Sequence, residues 1–515
     1  LADVMSKKYK TGIISGWAPA RTQNSDNLPQ MVMTLGAMGG HFGKSGHMTG
    51  VCCHSSAFTS RQSIVGTVGS TGIKIAPRPP ASATIADICK AEVWKAVAQG
   101  QYTYSQSITD EKTGQKMPVN IKMIVNDSAA NTQTCEGQPF MVQVHRGAEF
   151  VVAHGQFETT NCRYADIILP ITSKWEEDGG GSLHDSVETV APYGKVVEPK
   201  YETKSEIDVE WEYAKYRGVD VSAQGLVTDE QGWFNLVKGA TYRDVSSGTN
   251  KPLIKITADD LVKMKVNGKD YAMEGGRAYT QNGLITYDQF MERGAIAPYK
   301  RHDGDRYVYI ANKAFAEGTA EKATESGKLE IYCARLRDRF NKLGYSVVSA
   351  IPTYIPPYEG YEETFEDYGR GIKGKFPFQF YNPHYWRRSH TVFDNVLWMR
   401  EAWPNPFFVN AQDAEAKGVK NGDPILLTSP HGRSIRHACV TNRMMPGVVG
   451  VPHGAWLDLD ESLGIDLAGS DNWIAGAVAT GQGTSGYNTG ICNWEKYNGE
   501  LVEDCMRPQR LHQFE

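Results

Sequence analysis

The sequence predicts an α/β protein in three parts. Residues 1–202 read as a partial doubly wound parallel-sheet domain, 203–372 as a mixed α+β region, and 373–515 as a β-barrel cap. Three observations lead there. In the first 200 residues, short apolar strands alternate with helical or loop segments, the pattern of a parallel sheet. The centre mixes charge-rich helical stretches with Gly-, Pro- and Tyr-rich segments. The last region clusters short strands around turns, which a compact barrel accommodates most simply. A length of 515 residues also exceeds one core, at a prior of roughly 150 residues per domain.

The elements follow in order. Residues 12–17 form the first strand candidate, and Pro19 turns the chain. Ser25, Asp26 and Asn27 offer helix caps, Pro29 suits a first turn, and Met31, Val32, Leu35 and Met38 recur at helical spacing. Gly39-Gly40 ends that helix. Residues 121–126, 150–154 and 166–169 read as buried strands, and ligands of such sheets lie beyond the carboxyl ends of the strands. Residues 208–216 and 260–266 read as helical, with further helical stretches in 314–341 and a linker near 368–375. In the last part, 425–428 and 435–440 flank the turn Pro430-His431-Gly432, and 448–451 adds another strand.

Composition narrows the function. Hydrophobic content of 40% and charged content of 22% are those of an ordinary globular chain. A net charge of -5 gives no reason to expect a nucleic-acid partner. The nine cysteines form no Cys-x-x-Cys or Cys/His cluster, so no metal or cluster site follows from local spacing. The adjacent pair Cys52-Cys53 is the one local exception to their scatter. No apolar stretch approaches the roughly 20 residues that span a bilayer.

Four constellations carry polar chemistry. Gly16-Trp17-Ala18-Pro19-Ala20-Arg21 combines a close backbone approach with a planar donor fork. His154-Gly155-Gln156-Phe157-Glu158-Thr159-Thr160 places hydroxyls and amides at a strand end, where helix capping is the alternative role. His384, Arg387, Arg388, Ser389 and His390 set two guanidinium groups beside two imidazoles, suited to pyrophosphate and heterocycle edges; the plainer reading is a solvated face. Asn410 and Asp413 can pair an amide and a carboxylate with a guanine edge, or cap the helix beginning there.

Taken with Val440-Thr441-Asn442-Arg443-Met444-Met445-Pro446-Gly447, Pro452-His453-Gly454-Ala455-Trp456 and Tyr487-Asn488-Thr489-Gly490, these segments resemble the molybdopterin oxidoreductases of the dimethyl sulfoxide reductase family. Leu35-Gly36-Ala37-Met38-Gly39-Gly40-His41-Phe42-Gly43 resembles that family's pterin-contacting segment, and the Thr-rich loop 154–161, followed by Tyr164-Ala165-Asp166-Ile167-Ile168-Leu169-Pro170, its guanosine-contacting loop and the strand after it. The resemblance implies a double-psi-type barrel and a bis-(molybdopterin guanine dinucleotide) cofactor with Mo, or W. It implies cofactor contacts at Gly16, Trp17, Arg21, His154, Gln156, Thr159, Thr160, His384, Arg387, Arg388, Ser389, His390, Asn410, Asp413, Asn488 and Asn493. The family's [4Fe–4S] cluster and metal ligand would lie upstream of Lys10, so the chain reads as the C-terminal portion of a longer subunit and no metal ligand is assigned.

The implied activity is reduction of an S-oxide or N-oxide in anaerobic respiration. The implied setting is the periplasmic face of the membrane, with a ferredoxin-like iron–sulfur subunit and a membrane anchor as partners. Two alternatives stand beside it. The same scaffold could act on a catechol, formate or a sulfur oxyanion, or the chain could be a non-catalytic nucleotide-binding or assembly module.

Overall fold

The computed structural model describes residues 2–6, 8–13, 18–49, 65–66, 88, 90–104, 110–127, 131–182, 190–219, 228–244, 247, 249–293, 310, 312–345, 347–479 and 486–499. The chain divides into two compact units. One comprises Leu1–Ile14, Gly40–Ala81 and Pro170–Ala320; the other comprises Ser15–Gly39, Ser82–Leu169 and Glu321–Glu515. This differs from three consecutive segments. The predicted middle region is shared, and its last part belongs with the barrel.

In the barrel-containing unit, helix α1 (Leu28–Met38) forms where the Pro29 and Gly39 signals place it. Its entry is made by Asn27 backbone geometry, without a side-chain cap. Strand β1 (Met123–Asn126) runs parallel to β2 (Phe150–Gly155), with Val125 opposite Val152, and β3 (Ile167–Pro170) follows on the far side of β2. Helix α2 (Gln138–Gly147) starts with a proline in its first turn and buries Met141, Val144 and His145. Ile124, Val144 and Val151 form the core on one sheet face. The short helix α3 (Thr160–Arg163) connects β2 to β3. The expected parallel α/β pattern is present, in a sheet of three strands. Met123, Val125, Ile167 and Ile168 remain exposed, whereas parallel sheets are ordinarily covered on both faces.

The other unit holds its own small core of Phe234, Leu253, Ile254, Ile256, Leu261 and Phe290. Its helices carry clear caps. Ser205 accepts from the Asp208 amide at the start of α4 (Glu206–Tyr216), and Thr257 with Asp260 makes a reciprocal capping box on α5 (Ala258–Lys263).

The last region closes into a barrel. Strand β4 (Phe378–Tyr381) is followed by helix α6 (Leu397–Ala402), strand β5 (Pro406–Asn410) and helix α7 (Ala411–Ala416). Strands β6 (Pro424–Thr428), β7 (Arg433–Thr441) and β8 (Val448–Gly450), helix α8 (Asp471–Ile474) and strand β9 (Ile491–Lys496) complete it. Around the barrel the order is β5, β8, β4, β9, β6, β7 and back to β5. The β4–β8 and β5–β7 pairings are parallel; the rest are antiparallel. Phe378, Phe380, Phe407, Val409, Leu427 and Trp494 fill the interior. The β6–β7 turn falls on Pro430-His431-Gly432 as expected.

One sequence expectation is corrected. The linker near 368–375 is part of a hairpin: Ile372–Lys373 pairs with Phe365–Asp367, and Lys373 Nζ lies 3.7 Å above the Phe365 ring. The helical stretches expected within 314–341 are present as Lys313–Ala316 and Ala334–Lys342, with Gly318 and Gly327 taking positive φ between them. Among the described residues, no helix is long and apolar enough to cross a membrane.

Candidate cofactor site

The site is built on the loop that leaves β4. Asn382 donates to the Asp471 carboxylate at 3.2 Å, tying the loop to α8. The chain then turns tightly. The Ser389 and Val392 amides donate to each other's carbonyls at 3.2 and 3.0 Å. His390 and Phe393 adopt φ of 55° and 77°. Positive φ at such residues costs about 1–3 kcal/mol each and marks a conformation imposed by its surroundings. The turn folds His390 back onto His384, with ring centroids 5.1 Å apart. His453, from the segment after β8, completes a group of three: its ring lies 4.4 Å from His384, and its Nε2 lies 3.2 Å from His390 Nδ1. Gly454 makes this approach possible. Its φ is 92°, its amide donates to Asp471 at 2.8 Å, and a Cβ there would collide with the His390 carbonyl. Burial lowers the pKa of His453, and His384 and His390 add to this, while Asp471 opposes it. The ring is therefore neutral near pH 7.

Beside the imidazoles lies a buried charge cluster. Arg388 Nε meets Asp394 at 2.6 Å, Arg387 Nη2 meets it at 3.0 Å and Arg400 Nη2 at 3.9 Å. The Trp456 amide donates to the same carboxylate at 3.0 Å, and Arg388 Nη1 donates to the His453 carbonyl at 3.1 Å. Burial opposes ionisation of Asp394, but Arg388, Arg387 and Arg400 outweigh it and hold the carboxyl well below the usual range. Burial pulls Arg387 down to about 10 despite Asp394. Three guanidinium groups thus face one carboxylate. Arg387 Nε and Nη1 and Arg388 Nη2 are buried without a hydrogen-bond partner. Buried unpaired donors on charged groups cost on the order of 1–3 kcal/mol or more, a cost that an acceptor such as a phosphate oxygen or a water would relieve.

The other sequence-predicted residues fall in different settings. Arg387 and Arg388 are buried rather than on a solvated face, while Ser389, His384 and His390 are exposed. His154 is buried at the end of β2 and Gln156 is exposed beyond it. Thr159 is buried at the α3 entry without a side-chain cap bond. Thr160 is fully buried; its hydroxyl bonds Gln133 and accepts from the Leu457 amide at 3.2 Å, which locks α3 to the barrel segment. Asn410 caps α7 by accepting from the Gln412 amide at 2.8 Å, and it donates to the Met444 carbonyl at 2.7 Å. Asp413 accepts from the Gly447 amide at 2.8 Å. Both therefore hold the 441–447 turn as well as the helix. Asn488 donates to the carbonyls of Arg21 and Ala18, at 2.9 Å from its amide and 3.3 Å from its side chain, and the Arg21 guanidinium lies 5.4 Å from the Tyr487 ring. Asn493 on β9 accepts from Lys417 at 3.1 Å. Gly16, Trp17 and Cys52-Cys53 lie outside the described residues.

Four site residues were missed: His453, Asp394, Arg400 and Arg436. His453 and Asp394 sit in segments rich in other signals, but neither spacing marks them. Arg436 lies on β7 after the buried Ser434 and Ile435, is fully buried itself, and donates to the Pro452 carbonyl at 2.8 Å and to Asn405 at 3.2 Å.

The loop after β4 thus gathers buried guanidinium groups and three imidazoles beside the barrel. Residues 3–215 match the molybdopterin oxidoreductase family and 378–489 the molydopterin dinucleotide binding domain. The chain is 24% identical to trimethylamine-N-oxide reductase of Haemophilus influenzae, over 98% of this chain and 56% of that protein. It is 25% identical to the dimethyl sulfoxide/trimethylamine N-oxide reductase of Rhodobacter capsulatus, over 96% and 55%. It is 24% identical to dimethyl sulfoxide reductase DmsA of Escherichia coli, over 87% and 49%. It therefore spans about half the length of the curated relatives it matches. Among solved structures, acetylene hydratase of Pelobacter acetylenicus shares the fold with a TM-score of 0.51, at 16% identity over 79% of this chain and 46% of that one. The chain carries a molybdopterin oxidoreductase domain and a molydopterin dinucleotide binding domain, which together imply a molybdopterin dinucleotide cofactor with Mo. The partnerless guanidinium donors and the adjacent imidazoles fit such a group.

Proposed function

We propose that the protein carrying this chain is a molybdenum-dependent oxidoreductase that reduces a small S-oxide or N-oxide, using bis-(molybdopterin guanine dinucleotide). The observation that carries the reading is the buried arginine cluster with its partnerless donors, beside three histidines, in a chain carrying these two domains. The names of the relatives support the substrate class. When bound, the cofactor supplies oxygen-atom transfer coupled to two-electron redox chemistry. The chain's own groups bind and orient it. Arg387 and Arg388 offer donors to its phosphates, and His384 and His390 present ring nitrogens to its heterocycle edges. Arg21 and Asn488 hold a second cradle together. Gly454 keeps the loop closed.

The finer architecture belongs to the same proposal. The three-stranded sheet is part of a doubly wound domain, which its uncovered apolar face supports, and the barrel is of the double-psi type. An iron–sulfur electron-transfer subunit, a membrane anchor and a periplasmic location complete the proposed setting. The resemblance supports them, and fractionation with co-purification tests them. The function itself is tested by a viologen-linked assay of the Mo-loaded protein. Turnover of dimethyl sulfoxide or trimethylamine N-oxide is expected; turnover of formate or a catechol alone would replace the substrate class.

A further inference from the structure

We propose that His384, His390 and His453 form a binding site for one divalent transition-metal ion of the zinc, cobalt or nickel class, when the chain is free of its dinucleotide. The inference rests on the geometry of the three rings, not on the activity proposed above. One ring-nitrogen donor from each residue lies within 4.8 Å of the other two. Three imidazoles on a tetrahedral ion stand about 3.3 Å apart, given Zn–N bonds of about 2.0–2.1 Å. The His453–His390 pair already has that separation, at 3.2 Å. His384 and His390 are exposed, so the rings have room to close the remaining gap and an ion can reach them. The backbone is prearranged, because the left-handed His390 and the crowded Gly454 fix two of the three ligands.

Arg387 and Arg388 oppose a cation, but both are held by Asp394. On the other side, Asp471 accepts from the Gly454 amide and acts electrostatically on His453. Three imidazole donors with one open position favour zinc, cobalt or nickel over the hard, oxygen-seeking magnesium and calcium. Because the imidazoles proposed to meet the pterin are the same ones, metal and dinucleotide would exclude each other.

The test uses the full chain, purified untagged from cells unable to make the pterin and titrated with Co(II). The expected result is one equivalent bound, with the visible absorption bands of tetrahedral Co(II). Changes outside the ligand set commonly cost about 10–100-fold in metal affinity, so His390→Ala and His453→Ala should each weaken binding by more than about tenfold. His431→Ala, which alters a histidine paired with Glu359 instead, should leave binding unchanged. His453→Gln guards against loss of fold: it should keep the thermal transition yet lose the bands. Absence of stoichiometric binding, or wild-type bands in His453→Gln, would overturn the proposal.

Discussion

Replacing Asp394 would leave Arg387, Arg388 and Arg400 buried without a counter-ion. Breaking a buried ion cluster at one partner typically costs about 3–5 kcal/mol, and Asp394→Ala should destabilise by that order, read as a lowered denaturant midpoint. The pH dependence follows from the depressed pKa. The contribution of Asp394 is fully present above the unfolded carboxylate range and is lost as pH falls through the folded value. Asp466 behaves oppositely. Burial pushes it up to about 6 against its hydrogen bonds to the Asp458 amide, Ser434 and the Ser470 and Ala468 amides. The folded state therefore holds its proton more tightly, and stability falls as pH rises from about 4 to about 6, by roughly 3 kcal/mol. Asp466→Asn should flatten that part of the stability–pH curve; an unchanged slope would assign it elsewhere. Substituting Arg387 and Arg388 together by Ala should lower the guanine nucleotide bound per chain, since each charge-assisted contact is worth about 1.5–3 kcal/mol. Retained nucleotide would mean the guanidinium groups serve the fold alone. These two arginines were legible because they are consecutive and flanked by histidines. Arg436 was not, because its partners Asn405 and Pro452 are distant in sequence, and Asp394 was not, because its arginines stand six or seven residues away rather than at the three- or four-residue spacing of helix neighbours.

Turns and caps explain which elements could be read and which could not. Helix α1 and the β6–β7 hairpin follow local signals, Pro29 with Gly39 and Pro430-His431-Gly432, so their positions match the sequence reading. Strands β4, β5 and β9 are short and, although Pro377, Pro404 and Gly490 precede them, carry no alternation long enough to mark them as strands. They become strands by pairing with β8, β7 and β6. The period-two signal also fails on β7, where Ser434, Ile435 and Arg436 are buried in succession, because the barrel and the segments around it cover both faces. Gly454 is the sharpest test at this scale. Gly454→Ala adds a methyl group against the His390 carbonyl at a φ of 92° and should push the His453 segment away from the 382–394 loop. The expected readout is a lowered melting temperature together with loss of nucleotide, whereas Gly418→Ala, which meets open space, should lose stability through its positive φ alone.

For the whole molecule, the class of fold was legible from the alternation of strands and helices, but the division into units was not. Segments far apart in sequence assemble together: Asn27 donates to the Ser349 carbonyl at 2.9 Å, and Gln133 accepts from the Leu457 amide at 3.3 Å. No local period predicts contacts across more than 300 residues. The exposed Met123, Val125, Ile167 and Ile168 are apolar side chains of a kind that parallel sheets bury, so the β1–β3 amides should exchange faster than those of the closed barrel. The most direct measurement is the molybdenum and guanosine nucleotide content of the protein purified anaerobically from Mo-replete cells, compared with the Arg387→Ala/Arg388→Ala variant. Stoichiometric molybdenum and nucleotide in the wild type, reduced together in the variant, is the predicted result. Wild-type protein that folds and carries neither would contradict a cofactor role for the arginine–histidine site.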